Sequence, residues 1–174
     1  MKIVMIYDQI QSGEGIKDDH MVPLGIKTEA VGPAIMMEPF LKKVNGKVVA
    51  CLYCGDGYYV SNKEEVTRKL CAMVKKINPD VVMCGPSFNY KGYSKMSADI
   101  AKEIQNTANI PSLAAMSEEN IETITNYKNV IPIIKTPKKG GIGLNHALEG
   151  MCILAKKLMD KEDIETIVEK YCYK

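Results

Sequence analysis

Apolar and polar positions alternate between two kinds of segment along this chain. Short, nearly continuous apolar runs occur at Lys2–Tyr7, Lys47–Tyr53, Asp80–Cys84, Ile110–Ala115 and Val130–Lys135. Runs of this length read as strands buried on both faces. Between them lie segments with helical spacing. Val66, Leu70, Met73, Val74 and Ile77 share one face behind Ser61-Asn62-Lys63-Glu64, which reads as a capping box. Asn78-Pro79 ends that helix. Met96, Ile100 and Ile104 stripe a helix over Ser94–Thr107, and Leu144, Leu148, Met151, Ala155 and Leu158 stripe a longer one. A short helix over Ala34–Lys43 must accommodate Pro39 near its start or as a kink. Ser117 is expected to cap a helix that carries Glu118 and Glu119 in its first turn, and Asp163–Tyr171 forms a last, more polar helix. Asp8–Pro33 reads as a long loop rich in glycine and proline.

Strands alternating with amphipathic helices predict an α/β fold with a mostly parallel sheet and right-handed crossovers. Five strands suit one three-layer α/β/α domain, flavodoxin-like or Rossmann-like, in the order 2-1-3-4-5. The domain is expected over residues 1–160, with a C-terminal helix over 161–174. In this order a crevice opens where the crossovers diverge, beside Asp8–Gly15 and Cys84–Tyr93. The strands that end at Cys54 and Cys84 lie two spacings apart, about 10 Å. That is too far for a disulfide, which needs Cα atoms within about 7 Å. Cys51 and Cys54 form a C-x-x-C, but three residues apart on a strand they point to opposite faces.

The 174 residues include 46% hydrophobic and 25% charged residues with a net charge of +2. Such a chain fits one globular domain and has no demand for nucleic acid or an anionic membrane. Its apolar runs are too short to span a bilayer, and its first residues lack the pattern of a signal peptide. Six cysteines are too few for a disulfide scaffold and are expected reduced, in a cytoplasm.

Candidate chemistry clusters at the strand ends. Cys54 and Cys84 each precede a glycine there, and a thiol can become a nucleophile near neutral pH. Equally, free cysteine commonly packs as a small hydrophobe. Asp8, directly after the first strand, can orient a ligand or bind a cation, or cap its own turn. Asn89, Tyr90 and Tyr93 can hydrogen-bond a polar ligand. Lys138, Lys139, Gly140 and Gly141 precede a helix start and suit a carboxylate or phosphate, or form a solvated basic turn. Glu118 and Glu119 favour the positive end of their own helix. His20 and His146 have no zinc-site spacing, and no metal site is expected.

Six rim segments occur in one order: Asp8-Gln9-Ile10-Gln11, Met36-Met37-Glu38-Pro39, Leu52 to Tyr59, Cys84 to Tyr90, Ala114 to Asn120, and Lys135 to Gly141. In these segments the chain resembles the glycine/sarcosine/betaine reductase family, at the large selenoprotein subunit of component B. The resemblance covers about Lys2–Leu158, the N-terminal half of that subunit. It implies an amino-acid-fermenting system in anaerobes. There component B binds a small amino acid or betaine, and a carboxymethyl group passes to a selenol. A pyruvoyl group and a selenocysteine are implied on partner chains, with no cofactor on this one. Other reductase-complex subunits are the implied partners. None of the six cysteines maps onto the redox centre. The resemblance thus supports substrate binding or subunit docking. The expected substrate-binding set is Asp8, Gln9, Tyr53, Asp56, Asn89, Tyr90, Glu118, Lys138, Lys139, Gly140 and Gly141, with Cys54 and Cys84 as candidate catalytic thiols. Two other readings stay open: an autonomous two-cysteine racemase or isomerase, and a non-catalytic ligand sensor. Self-association is compatible with all three.

Overall fold

A computed structural model describes residues 1–174. Its sheet contains β1 (Lys2–Tyr7), β2 (Gly25–Lys27), β3 (Lys47–Tyr53), β4 (Val81–Cys84), β5 (Ser112–Met116) and β6 (Ile133–Lys135). Their order is β2-β3-β1-β4-β5-β6, with every neighbouring pair parallel except β2–β3. The expected α/β class and the expected order of five strands are both present. The sixth strand, β2, corrects the count. It lies inside the long Asp8–Pro33 loop and is only three residues long, so it has no readable alternation. Three strands begin later than expected: β4 by one residue, and β5 and β6 because Pro111 and Pro132 precede them and lack the N–H a ladder needs.

Eight helices cover the sheet: α1 (Pro33–Met36), α2 (Glu38–Lys43), α3 (Asp56–Ser61), α4 (Lys63–Ile77), α5 (Lys91–Ala108), α6 (Ile121–Tyr127), α7 (Leu144–Asp160) and α8 (Glu165–Tyr171). Three helical expectations need correction. The single helix over Ala34–Lys43 is two, because Pro39 is accommodated at the start of α2, where no N–H is required. The Ser61 capping box does not form, since Ser61 ends α3 and Asn62 stands at the N-cap of α4, without a side-chain cap bond. Ser117 precedes a short 3-10 turn over Glu118–Asn120 that leads into α6, and its hydroxyl makes no cap bond.

The core explains the layering. Ile3 to Tyr7 of β1 are essentially inaccessible to solvent, and β4 and β5 are buried along their whole lengths. Apolar side chains on both faces of a strand require cover on both sides. Helix α5 packs on β4 and β5 from one side, joined by α3, α4 and α6. Helix α7 packs on β4, β5 and β6 from the other, with α2 and α8 beside it. The residues after α8 close the β6 edge: Cys172 bridges Ile134, and the Tyr173 N–H donates to the Ile133 carbonyl at 3.0 Å. An otherwise open edge is thereby paired.

One polar cluster ties the first helical layer together. Asp99 on α5 is 7% exposed, and its carboxylate accepts from Lys63 Nζ and Lys95 Nζ, both at 2.9 Å, and from Tyr59 Oη at 3.2 Å. Tyr127 Oη also donates to it. Burial alone would raise the Asp99 pKa, but these donors outweigh it and hold the carboxyl below its usual value. Its contribution is therefore present above the unfolded pKa and is lost as pH falls through the lower folded value. Replacing Asp99 by Ala is expected to destabilise the fold by about 2 kcal/mol at neutral pH, read by denaturant unfolding. Wild-type stability at neutral pH would show that this cluster only decorates the surface.

Candidate functional site

One crossover runs from β1 outward to β3, and the next returns from β3 past β1 to β4, so the direction of winding reverses at β1. Beyond the carboxyl end of β1 they leave a crevice of about 310 Å³, lined by Asp8, Gln9, Ile10, Lys17, His20, Asp56, Asn89, Tyr90, Lys91 and Gly92. This is the position at which open α/β sheets bind ligands.

Asp8 follows the last residue of β1 and is 2% exposed. Its Oδ1 accepts the Gln11 N–H at 2.7 Å, closing a turn that faces the carboxyl end of the sheet. Burial pushes the Asp8 carboxyl up to about 6, and the negative Asp56 adds to this. The N–H groups of Gln11 and Ile10 and the charge of Lys139 oppose the rise. Gln9 is also buried; its Nε2 donates to the Lys17 carbonyl at 3.2 Å, while its Oε1 has no partner.

The loop after β1 is fastened across the start of α3. Gly55 N–H donates to the Val22 carbonyl and Tyr58 N–H to the His20 carbonyl, each at 2.8 Å. A Cβ at Gly55 would overlap the His20 carbonyl oxygen, so only glycine permits this approach. The fastening brings His20 Nδ1 to 2.6 Å from Asp56 Oδ1. The Asp56 hydrogen bond and charge raise the His20 pKa above its ordinary value. Asp56 also lies against the first turn of α5, where a Cβ at Gly92 would overlap its Oδ2.

Five of the expected residues therefore meet in one crevice: Asp8, Gln9, Asp56, Asn89 and Tyr90. Glu118, Lys138 and Gly141 line a separate hollow of about 620 Å³ with Lys135 and Tyr173. Lys139 links the two regions: its N–H donates to Asn89 Oδ1 at 2.9 Å, and its ammonium stands 4.7 Å from the Phe88 ring centre. Gly140 occupies an open turn at φ 78°. Tyr53 pairs with Gly25 of β2, and a Cβ on that glycine would overlap its ring, so it lies at the β2 edge. Lys17, His20 and Lys91 line the crevice without having been singled out as site residues. Only the position of the loop against Gly55 brings the first two there.

The two thiols sit beneath this surface. Cys54 is 1% exposed and Cys84 is fully buried. Cys54 Sγ donates to Met96 Sδ at 3.5 Å. Burial pushes its pKa up to about 12, with Asp56 and Asp8 adding to the rise. Burial raises Cys84 likewise, with Cys71 contributing. Both are held as protonated thiols, and all six cysteines are free.

The fold is thus an open α/β domain with a charged crevice at its switch point. The whole chain, residues 1–174, matches the family model described as glycine/sarcosine/betaine reductase selenoprotein B, and it belongs to that family. It is 34% identical over 140 residues to the glycine reductase complex component B subunit gamma of Carboxydothermus hydrogenoformans, a match covering 80% of this chain and 32% of the relative. It is 30% identical over 167 residues to the sarcosine reductase complex component B subunit beta of Peptoclostridium acidaminophilum, covering 96% and 37%. The betaine reductase complex component B subunit beta of the same organism matches at 26% over 90 residues, covering 52% and 20%. The chain thus spans about a third of the length of these first relatives. No helix is long and apolar enough to cross a membrane.

Two outcomes follow for this site. Asp8 has a raised folded pKa, so its ionised form opposes folding above the unfolded pKa, and this penalty vanishes below it. Asp8→Asn is expected to stabilise the fold at pH 8 by up to about 3 kcal/mol and to leave it nearly unchanged at pH 4, read by denaturant unfolding at both values. Destabilisation at both would mean that the carboxylate is structural. Native protein at pH 8 is expected to leave Cys54 and Cys84 unmodified by iodoacetamide, with labelling only after unfolding, read by peptide mass spectrometry.

Proposed function

We propose that this chain is the ligand-binding part of a component-B-type reductase assembly, and that the crevice at the end of β1 holds a small ammonium carboxylate such as glycine, sarcosine or trimethylglycine. The observation that carries this reading is Asp8. A carboxylate 2% exposed, lining a crevice and raised in pKa, is costly to the fold and gains its compensation from a cation. Lys17, His20 and Lys91 in the same crevice supply charge for the opposite end of such a molecule.

Reductive chemistry is assigned to other chains of the assembly. Burial and raised pKa keep Cys54 and Cys84 from acting as thiolates here. The pyruvoyl group and selenocysteine that the family resemblance implies are accordingly expected on partners, and this chain is expected to bind without turning over its ligand alone.

Calorimetric titration of glycine, sarcosine and trimethylglycine, with the chain alone and with co-purified partner subunits, tests the reading. At least one is expected to bind, and Asp8→Asn is expected to weaken that binding by about tenfold or more. Absence of binding in every combination would overturn the proposal, as would unchanged affinity in Asp8→Asn.

A further inference from the structure

The crevice divides its charges in a way that gives a bound molecule a direction. Asp56 is already engaged: its Oδ1 takes His20 Nδ1 at 2.6 Å and the Gly57 N–H at 3.0 Å. Asp8 has only the backbone N–H groups of Gln11 and Ile10 beside it and makes no ion pair, so it is the carboxylate left for a ligand cation. On the cationic side, Lys17 and Lys91 make no ion pair, and the His20 side chain is half exposed.

The tautomer of His20 follows from its partner. A carboxylate only accepts, so the hydrogen in the 2.6 Å contact resides on Nδ1. In the imidazolium, Nε2 then also carries a hydrogen and becomes a donor for a ligand anion. Asp56 supports this form, since its hydrogen bond and charge raise the His20 pKa, with Asp18 and Asp19 adding to the effect. The imidazolium is thus fixed in orientation by one carboxylate while its other edge is free for a second.

We propose that His20, held by Asp56, recognises the carboxylate of the ligand, so that the ammonium end is directed to Asp8. This deepens the ligand-binding reading above and rests on it. His20 becomes the residue that distinguishes an amino acid from a simple amine. The loop that carries it is part of the site because Gly55 and Tyr58 fasten that loop to α3.

Paired ligands separate the two ends. Glycine and glycinamide share the ammonium group, but only glycine has the carboxylate. Their affinities would be measured by calorimetry for the wild type, His20→Asn and His20→Lys, with thermal unfolding confirming that the variants are folded. His20→Asn is expected to weaken glycine by about tenfold and to leave glycinamide within about twofold. His20→Lys, which restores a cation, is expected to recover part of the glycine affinity. An equal loss for both ligands, or no loss for glycine, would overturn the assignment of His20 while leaving the crevice as the binding site. Failure of the wild type to bind glycine, sarcosine or trimethylglycine, alone or with partner subunits, would overturn both readings.

Discussion

Strand β1 is hydrogen-bonded along both edges, by β3 on one side and β4 on the other, and Ile3 to Tyr7 are almost wholly hidden from solvent. Everything at the site depends on that confinement. A strand held on both edges ends at a fixed place, and its next residue, Asp8, enters a partly desolvated crevice. The chain must then leave through the Asp8–Pro33 loop, because β3 and β4 already occupy the flanks. Tyr93 Oη from α5 donates to the Ile6 carbonyl at 2.8 Å, and the Ala34 N–H of α1 donates to Tyr7 Oη at 2.9 Å. These bonds register both helical layers to the strand that delivers the carboxylate.

The same confinement sets fold stability against binding. Water would solvate the Asp8 carboxylate better than the crevice does, so its ionised form works against folding at neutral pH. A strand end in a well-packed core can carry that penalty, and a ligand cation can relieve it. Asp56 belongs to a different arrangement. It is partly exposed, sits at the start of α3, and is hydrogen-bonded to His20 from a fastened loop. In the proposed binding mode one carboxylate is kept for the ligand and the other orients the residue that would meet the ligand's opposite charge.

Much of this was legible in the sequence, for a physical reason. Parallel strands buried on both faces are continuous apolar runs, so Lys2–Tyr7 and Lys47–Tyr53 show themselves, and the order of the five parallel strands follows from crossover rules. That order also places Asp8, Asn89 and Tyr90 beside one crevice. Residues fixed by loop placement were not legible. His20 and Lys17 belong to a segment without periodicity, and they reach the site through a close backbone approach at Gly55. Lys138 and Glu118 do lie at strand ends, but at β5 and β6, one step away from the crevice. Tyr53 ends a strand as expected, yet β2 packs beside it, and β2 is too short to leave a pattern.

The most direct test is the titration of the Asp8 side-chain carboxyl carbon by NMR, without and with saturating glycine. In the free chain the pKa is expected near 6, where burial places it. Bound glycine is expected to lower it clearly, because an ammonium group beside the carboxylate favours the ionised form. An Asp8 pKa that glycine leaves unchanged, although glycine binds, would place the ligand elsewhere and contradict the account.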